Sequence, residues 1–157
     1  VSRHVIGLVS DTHGMVRPAL FDALAGVERI LHAGDVGPRE VLLELAAIAP
    51  VAAVWGNTDA PGQPWLTGEI VTEIGGLSIH VSHGHEVGSP NPQRLVAAYP
   101  QDVLVYGHTH RQHVARVDGR LVVNPGAAGA RRFDLQPCVA KLIIEDGHAD
   151  VELIPLG

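Results

Sequence analysis

The chain has 157 residues, 46% hydrophobic and 18% charged, with a formal net charge of -6 and one cysteine. This balance implies a single globular domain over 1–157 and excludes a disordered chain. The acidic charge, with no Lys/Arg-rich run, excludes a protein that coats long nucleic acid. The lone Cys138 rules out an intrachain disulfide and a thiolate metal cluster. No apolar stretch reaches the ~18 residues of a membrane span. The short run from Val5 to Val9 is not a signal peptide, and a reducing cytoplasm is the expected compartment.

In chain order, residues 4–10 read as a buried strand, short and β-branched. Residues 18–25 read as a helix, with Pro18 in its first turn and Gly26 at its end. A strand over 29–33, a helix over 39–49 ended by Pro50, and a strand over 51–55 complete a βαβαβ series. Such a series predicts a parallel sheet. Residues 69–74 and 77–82, joined by Gly75-Gly76, predict a hairpin, and 92–99 a helix. Strands follow at 102–106, 116–117 with 120–123, and 139–145 with 149–154. Asp118-Gly119 and Asp146-Gly147 are hairpin turns. The second half therefore reads as antiparallel. Two packed sheets with outer helices accommodate both halves.

Five predicted strands end in residues that bind metals: Asp11-Thr12-His13, Gly34-Asp35, Gly56-Asn57, His83-Gly84-His85 and Gly107-His108-Thr109-His110. In α/β sheets ligands bind where strands give way to loops, so these loops can converge on one rim. Each Gly-Asp or Gly-Asn pair alone reads equally well as a turn. Imidazole and carboxylate without sulfur suit Mn, Fe, Ni or Zn. A carboxylate can bridge two cations, and Asp35 is placed for it because Gly34 lets the backbone approach closely. His32 and His80 lie within strands and read as core or hydrogen-bonded histidines, outside the metal set. Trp65 reads as a loop anchor.

The ordered series D-T-H-G, H-A-G-D, V-W-G-N-T-D, S-H-G-H and Y-G-H-T-H, followed by N-P-G-A, resembles the calcineurin-like metallophosphoesterases. It is most similar to the small YfcE-type phosphodiesterases, from Val5 to about Gly129. The resemblance implies a four-layer α/β sandwich, two mixed sheets flanked by helices, and two divalent cations, Mn2+ foremost, with Ni2+, Fe2+ or Zn2+ as alternatives. Carried over by motif, Asp11, His13 and His110 hold one metal, Asp35 bridges, and Asn57, His83 and His108 complete the other. The implied reaction is hydrolysis of a small phosphodiester by a metal-bridging hydroxide. His85 joins Asp35 and Asn57 as a catalytic candidate, with either His85 or a metal-bound water expected to protonate the leaving group. Arg111 and Arg131-Arg132 are candidates for phosphate contact. Many superfamily members carry His after the Asn of the third motif; here that position is Thr58, followed by Asp59. A threonine hydroxyl is a poor acid, which weighs against unactivated monoesters.

Two other readings stand beside this one. A small subunit of the retromer complex has the same fold and serves as a scaffold, so fold alone does not decide function. A phosphomonoesterase on similar metals is the other. The sequence is compatible with a homo-oligomer.

Overall fold

The computed structural model describes residues 3–131 and 134–157. Its elements are β1 (Arg3–Val9), α1 (Ala19–Ala23), β2 (Arg29–His32), α2 (Glu40–Leu45), β3 (Val51–Ala53), β4 (Ile70–Ile74), β5 (Leu77–Val81), a 3-10 turn (His85–Val87), α3 (Pro92–Ala98), β6 (Val103–Val105), β7 (His113–Val117), β8 (Arg120–Asn124), β9 (Cys138–Glu145) and β10 (His148–Pro155). One sheet has the order β10-β9-β1-β2-β3 and the other β4-β5-β6-β8-β7.

Side-chain alternation in the strands builds the layers. Ile6 and Leu8 of β1 enter the space between the sheets, with Leu31 and Leu142, and meet Ile79, Val81, Val105 and Leu121 of the other sheet. Val9 faces the opposite way, in a cluster with Leu20, Leu24, Leu42 and Leu45 of the first two helices and their flanks. Behind the second sheet, Leu104 and Val122 pack with Leu95 of α3. The result is the expected four-layer sandwich of helices, sheet, sheet and helix. Each fully buried Leu or Ile contributes roughly 1.5–3 kcal/mol.

The second half differs from its antiparallel expectation. β5 pairs with β6 in parallel, and β6 with β8 in parallel; only β4–β5 and β7–β8 are antiparallel within that sheet. α3 is the crossover that parallel neighbours need. After β6 the chain runs out to the edge as β7 and returns as β8 between them. The β9–β10 hairpin crosses back to the first sheet, where β9 lies antiparallel to β1. The α-helical cores of α1 and α2 are shorter than expected because their flanks close with tighter bonds, such as Ala25 N–H to Asp22 O and Ile48 N–H to Leu45 O. β7 begins at His113, three residues earlier than its sequence pattern, because this edge strand is too exposed to alternate clearly.

Candidate metal centre

β1, β2 and β3 run parallel, as do β5, β6 and β8. Their carboxyl ends form one rim, and the loops leaving them are stitched together. Asp11 N–H donates to Gly34 O (3.0 Å), His13 N–H to Asp35 O (3.0 Å), and Gly107 N–H to His83 O (2.9 Å). All seven residues expected as metal ligands meet there.

Asp11, His13, Asp35 and His110 each offer a ligand atom, and the four atoms lie within 4.8 Å of one another. Asp11 is 1% exposed. Its Oδ2 accepts from Ser10 Oγ (2.6 Å) and from His108 N–H (3.2 Å). Its Oδ1 is left facing His110 Nε2 at 3.4 Å and His13 Nε2 at 3.7 Å. Both Asp11 Oδ1 and His13 Nε2 are buried without a hydrogen-bond partner. Such orphaned atoms are costly in a native interior, and a cation held between them satisfies both.

A second set adjoins the first. Asn57 Oδ1 lies 3.0 Å from His83 Nε2 and 3.1 Å from His108 Nδ1. His83 Nδ1 lies 2.8 Å from Ala33 O, a carbonyl that can only accept, so Nδ1 carries the proton. In neutral His83 the bare Nε2 therefore faces two further acceptors, Asn57 Oδ1 and Asp35 Oδ2, the latter at 3.2 Å. A shared positive charge, a proton or a metal ion, reconciles three converging lone pairs. Asp35 links the sets: the same Oδ2 lies 3.6 Å from His13 Nε2, while Oδ1 accepts from Thr58 N–H (2.9 Å). The donors present therefore fit divalent cations.

The electrostatics agree with this crowding. Burial pushes the Asp35 carboxyl up, but the His83 hydrogen bond and Thr58 N–H outweigh it and hold its pKa below the ordinary value. Asp11 is likewise lowered, with burial opposed by His13, His83 and Ser10. Burial alone would lower His83, yet Asp35 and Asp11 raise it. His108 is lowered by burial and by the charge of His83.

Other expected residues fall in various places. His85 stands just outside the ligand set, its ring centroid 5.4 Å from that of His83 and 6.3 Å from that of His108. Arg111 and Arg131 are exposed, and Arg132 lies outside the described residues. His32 and His80 are buried and hydrogen-bonded, as expected: His32 pairs with Thr12 and Gly34 N–H, His80 with Glu69. Trp65 is a different anchor from the buried one expected. It is 36% exposed, with the Arg39 guanidinium 5.0 Å from its ring. Trp55, read only as a strand end, is also exposed and lines a groove beside His85.

Two supporting residues had no assigned role in the sequence reading. Asp59 accepts from the N–H groups of Val36, Gly37 and Gly56, tying the Asp35 loop to the Asn57 loop. Buried Asn124 donates to Gly107 O and Thr109 Oγ1, holding the His108–His110 turn from behind, while its Oδ1 accepts from Gly126 N–H. The visible signal for each was a turn-forming Asp or Asn beside a ligand motif. A turn residue carries no mark of which loop it clamps.

A model of the calcineurin-like phosphoesterase superfamily domain matches residues 5–147. A Methanothermobacter thermautotrophicus protein named a probable metallophosphoesterase is 33% identical over 98% of this chain and 93% of its own length. The Escherichia coli phosphodiesterase YfcE is 34% identical, over 75% of this chain and 76% of its own. Among solved structures, a zinc complex of Entamoeba histolytica Vps29 superposes with a TM-score of 0.78 at 25% identity, covering 96% of this chain and 98% of that one. The chain belongs to the calcineurin-like phosphoesterase superfamily.

Proposed function

We propose that this member of the superfamily is a phosphodiesterase, one domain throughout, that hydrolyses small phosphodiesters with two divalent cations, Mn2+ foremost. The observation that carries the reading is the position of Asp35 Oδ2, 3.6 Å from His13 Nε2 and 3.2 Å from His83 Nε2. One oxygen thereby faces both donor sets. Divalent cations bound there supply a water that is nucleophilic at neutral pH and positive charge for the phosphoryl oxygens.

The chain's own residues do the rest. Asp11, His13 and His110 hold one cation, and Asn57, His83 and His108 the other. Ser10 and the His108 N–H turn Asp11 so that Oδ1 faces inward. Ala33 O fixes the His83 tautomer that leaves Nε2 bare. His85, whose ring stands just outside the ligand set, is the candidate to protonate the departing alkoxide. Thr58 offers no such proton, which favours diesters over unactivated monoesters. The similar Escherichia coli protein is named a phosphodiesterase, which supports that preference. A buried free thiol, Cys138, suits a reducing cytoplasm.

Chelated protein reloaded with Mn2+ is expected to turn over bis(p-nitrophenyl) phosphate, and Asp35→Asn to lower that rate at least about 100-fold. Near-wild-type turnover in the variant would remove the bridging role. One other reading is a non-catalytic module of the same fold, a fold that Vps29 shares. Because the Entamoeba Vps29 is itself complexed with zinc, metal content does not separate the two. Metal-dependent turnover does.

A further inference from the structure

Beside the rim opens a groove of about 320 Å3 lined by Trp55, Gly68, Glu69, His85, Glu86 and Tyr99. It begins at His85, one ring away from His83 and His108. The groove therefore adjoins the rim on its His85 side.

The lining has a definite chemistry. Trp55 is 39% exposed, and its indole lies over Gly68, where a Cβ would stand 2.9 Å from the Cζ2 atom. Only glycine leaves room for that ring. Glu86 is held by Gly84 N–H at 2.9 Å and by the Tyr99 hydroxyl at 2.7 Å. Burial raises the Glu86 pKa, but its hydrogen bonds, Tyr99's among them, outweigh this and keep it ionised. Glu69 is anchored by His80 Nε2 at 2.7 Å and still presents an exposed side chain. Among the described residues no lysine or arginine lines the groove.

Each carboxylate has an imidazole beside it, Glu69 the buried His80 and Glu86 the His85 ring at 3.8 Å, and two acidic side chains in one lining disfavour a second phosphate there. An aromatic face flanked by carboxylates is the recognition chemistry of an ammonium group. We infer that the groove receives the alcohol arm of the substrate and that this arm carries a cationic amine: the substrate is a phosphodiester of an amino alcohol. The inference rests on the phosphodiesterase reading above and names its substrate class.

The full chain has two tryptophans, so Trp65→Phe leaves Trp55 as the sole reporter. Zinc-loaded protein of this form is titrated with choline and with its uncharged isostere, 3,3-dimethylbutan-1-ol, while indole emission is followed. Choline is expected to bind at least about fivefold more tightly than the isostere. Glu69→Gln, whose amide oxygen still accepts from His80, is expected to erase that preference. The same preparation loaded with Mn2+ is expected to prefer glycerophosphocholine to glycerophosphoglycerol, with Glu69→Gln acting on KM rather than kcat. Equal binding of the two probes, no binding of either, or an unchanged preference in Glu69→Gln overturns the inference. Turnover of bis(p-nitrophenyl) phosphate on the same sample judges the parent reading separately. Turnover without choline preference sinks the ammonium site alone, and absent turnover sinks the phosphodiesterase.

Discussion

Five residues at the rim hold a left-handed backbone: Asp11 (φ 52°), His13 (47°), Asp35 (54°), His108 (73°) and His110 (64°). For residues other than glycine this region costs of order 1 kcal/mol or more each. The other described non-glycine residues with positive φ, Asp118 and Asp146, precede glycines in hairpin turns that require it. Of the rim residues only His13 precedes a glycine in a turn, closed by Met15 N–H to Thr12 O at 3.0 Å; the other four have no such turn to require it, so their loops are bent to aim side chains and must be clamped. Asp59 is the clamp. Asp59→Asn puts an amide N–H2 against backbone N–H donors that now meet a carboxylate. The expected outcome is a loss of Mn2+ affinity of about 10–100-fold with the fold intact, read by metal titration and circular dichroism. Unchanged affinity would mean that the loops hold themselves. Thr58 tests the leaving-group argument. Thr58→His supplies an acid beside Asn57, and the ratio of p-nitrophenyl phosphate to bis(p-nitrophenyl) phosphate turnover is expected to rise about 10-fold or more. An unchanged ratio refutes the argument.

At the scale of elements, the strands that carry ligands were the legible ones. Each is a short apolar run stopped by a polar turn, and that stop is where the ligand sits. Pairing order was not legible: nothing local in 120–123 says that β8 lies beside β6 in parallel rather than continuing a meander. Nor could a pattern say which two loops approach closely. Gly107, at the end of β6, marks such an approach, since a Cβ there would press on Ser10 and stand 2.7 Å from Asp11 Oδ2. Gly107→Ala is therefore expected to lower stability by about 1–3 kcal/mol. It should also weaken metal binding, because the β1 and β6 loops must part. Urea unfolding alongside Mn2+ titration checks both, and a wild-type midpoint with wild-type affinity would show that the rim is slack.

At the scale of the whole molecule, the donors come from both sheets: Asp11, Asp35 and Asn57 follow strands of one, His83, His108 and His110 strands of the other. Charge at the rim therefore bears on how the halves hold together, and metal-free protein should reveal it through pH. Burial lowers His32 to about 4 from 6.5, so the unfolded chain binds the extra proton between those values. Stability then falls as pH drops through that window, by about 3 kcal/mol at most. Asp11 and Asp35, both lowered, add their loss below pH ~4. His83 acts in the opposite sense. Its raised pKa gives stability that is fully present below 6.5 and is lost as pH rises through the folded value. Chelated protein should thus be most stable near pH ~6.5 and weaken on either side. With Mn2+ bound, a cation replaces the proton among His83, Asn57 and Asp35, so the alkaline limb should flatten while the His32 limb persists. Urea midpoints from pH ~4 to ~9, with chelator and with Mn2+, measure both limbs. If chelated protein grew more stable above pH ~6.5, His83 would not be sharing a proton with these oxygens, and the same lone pairs would have no need of a metal.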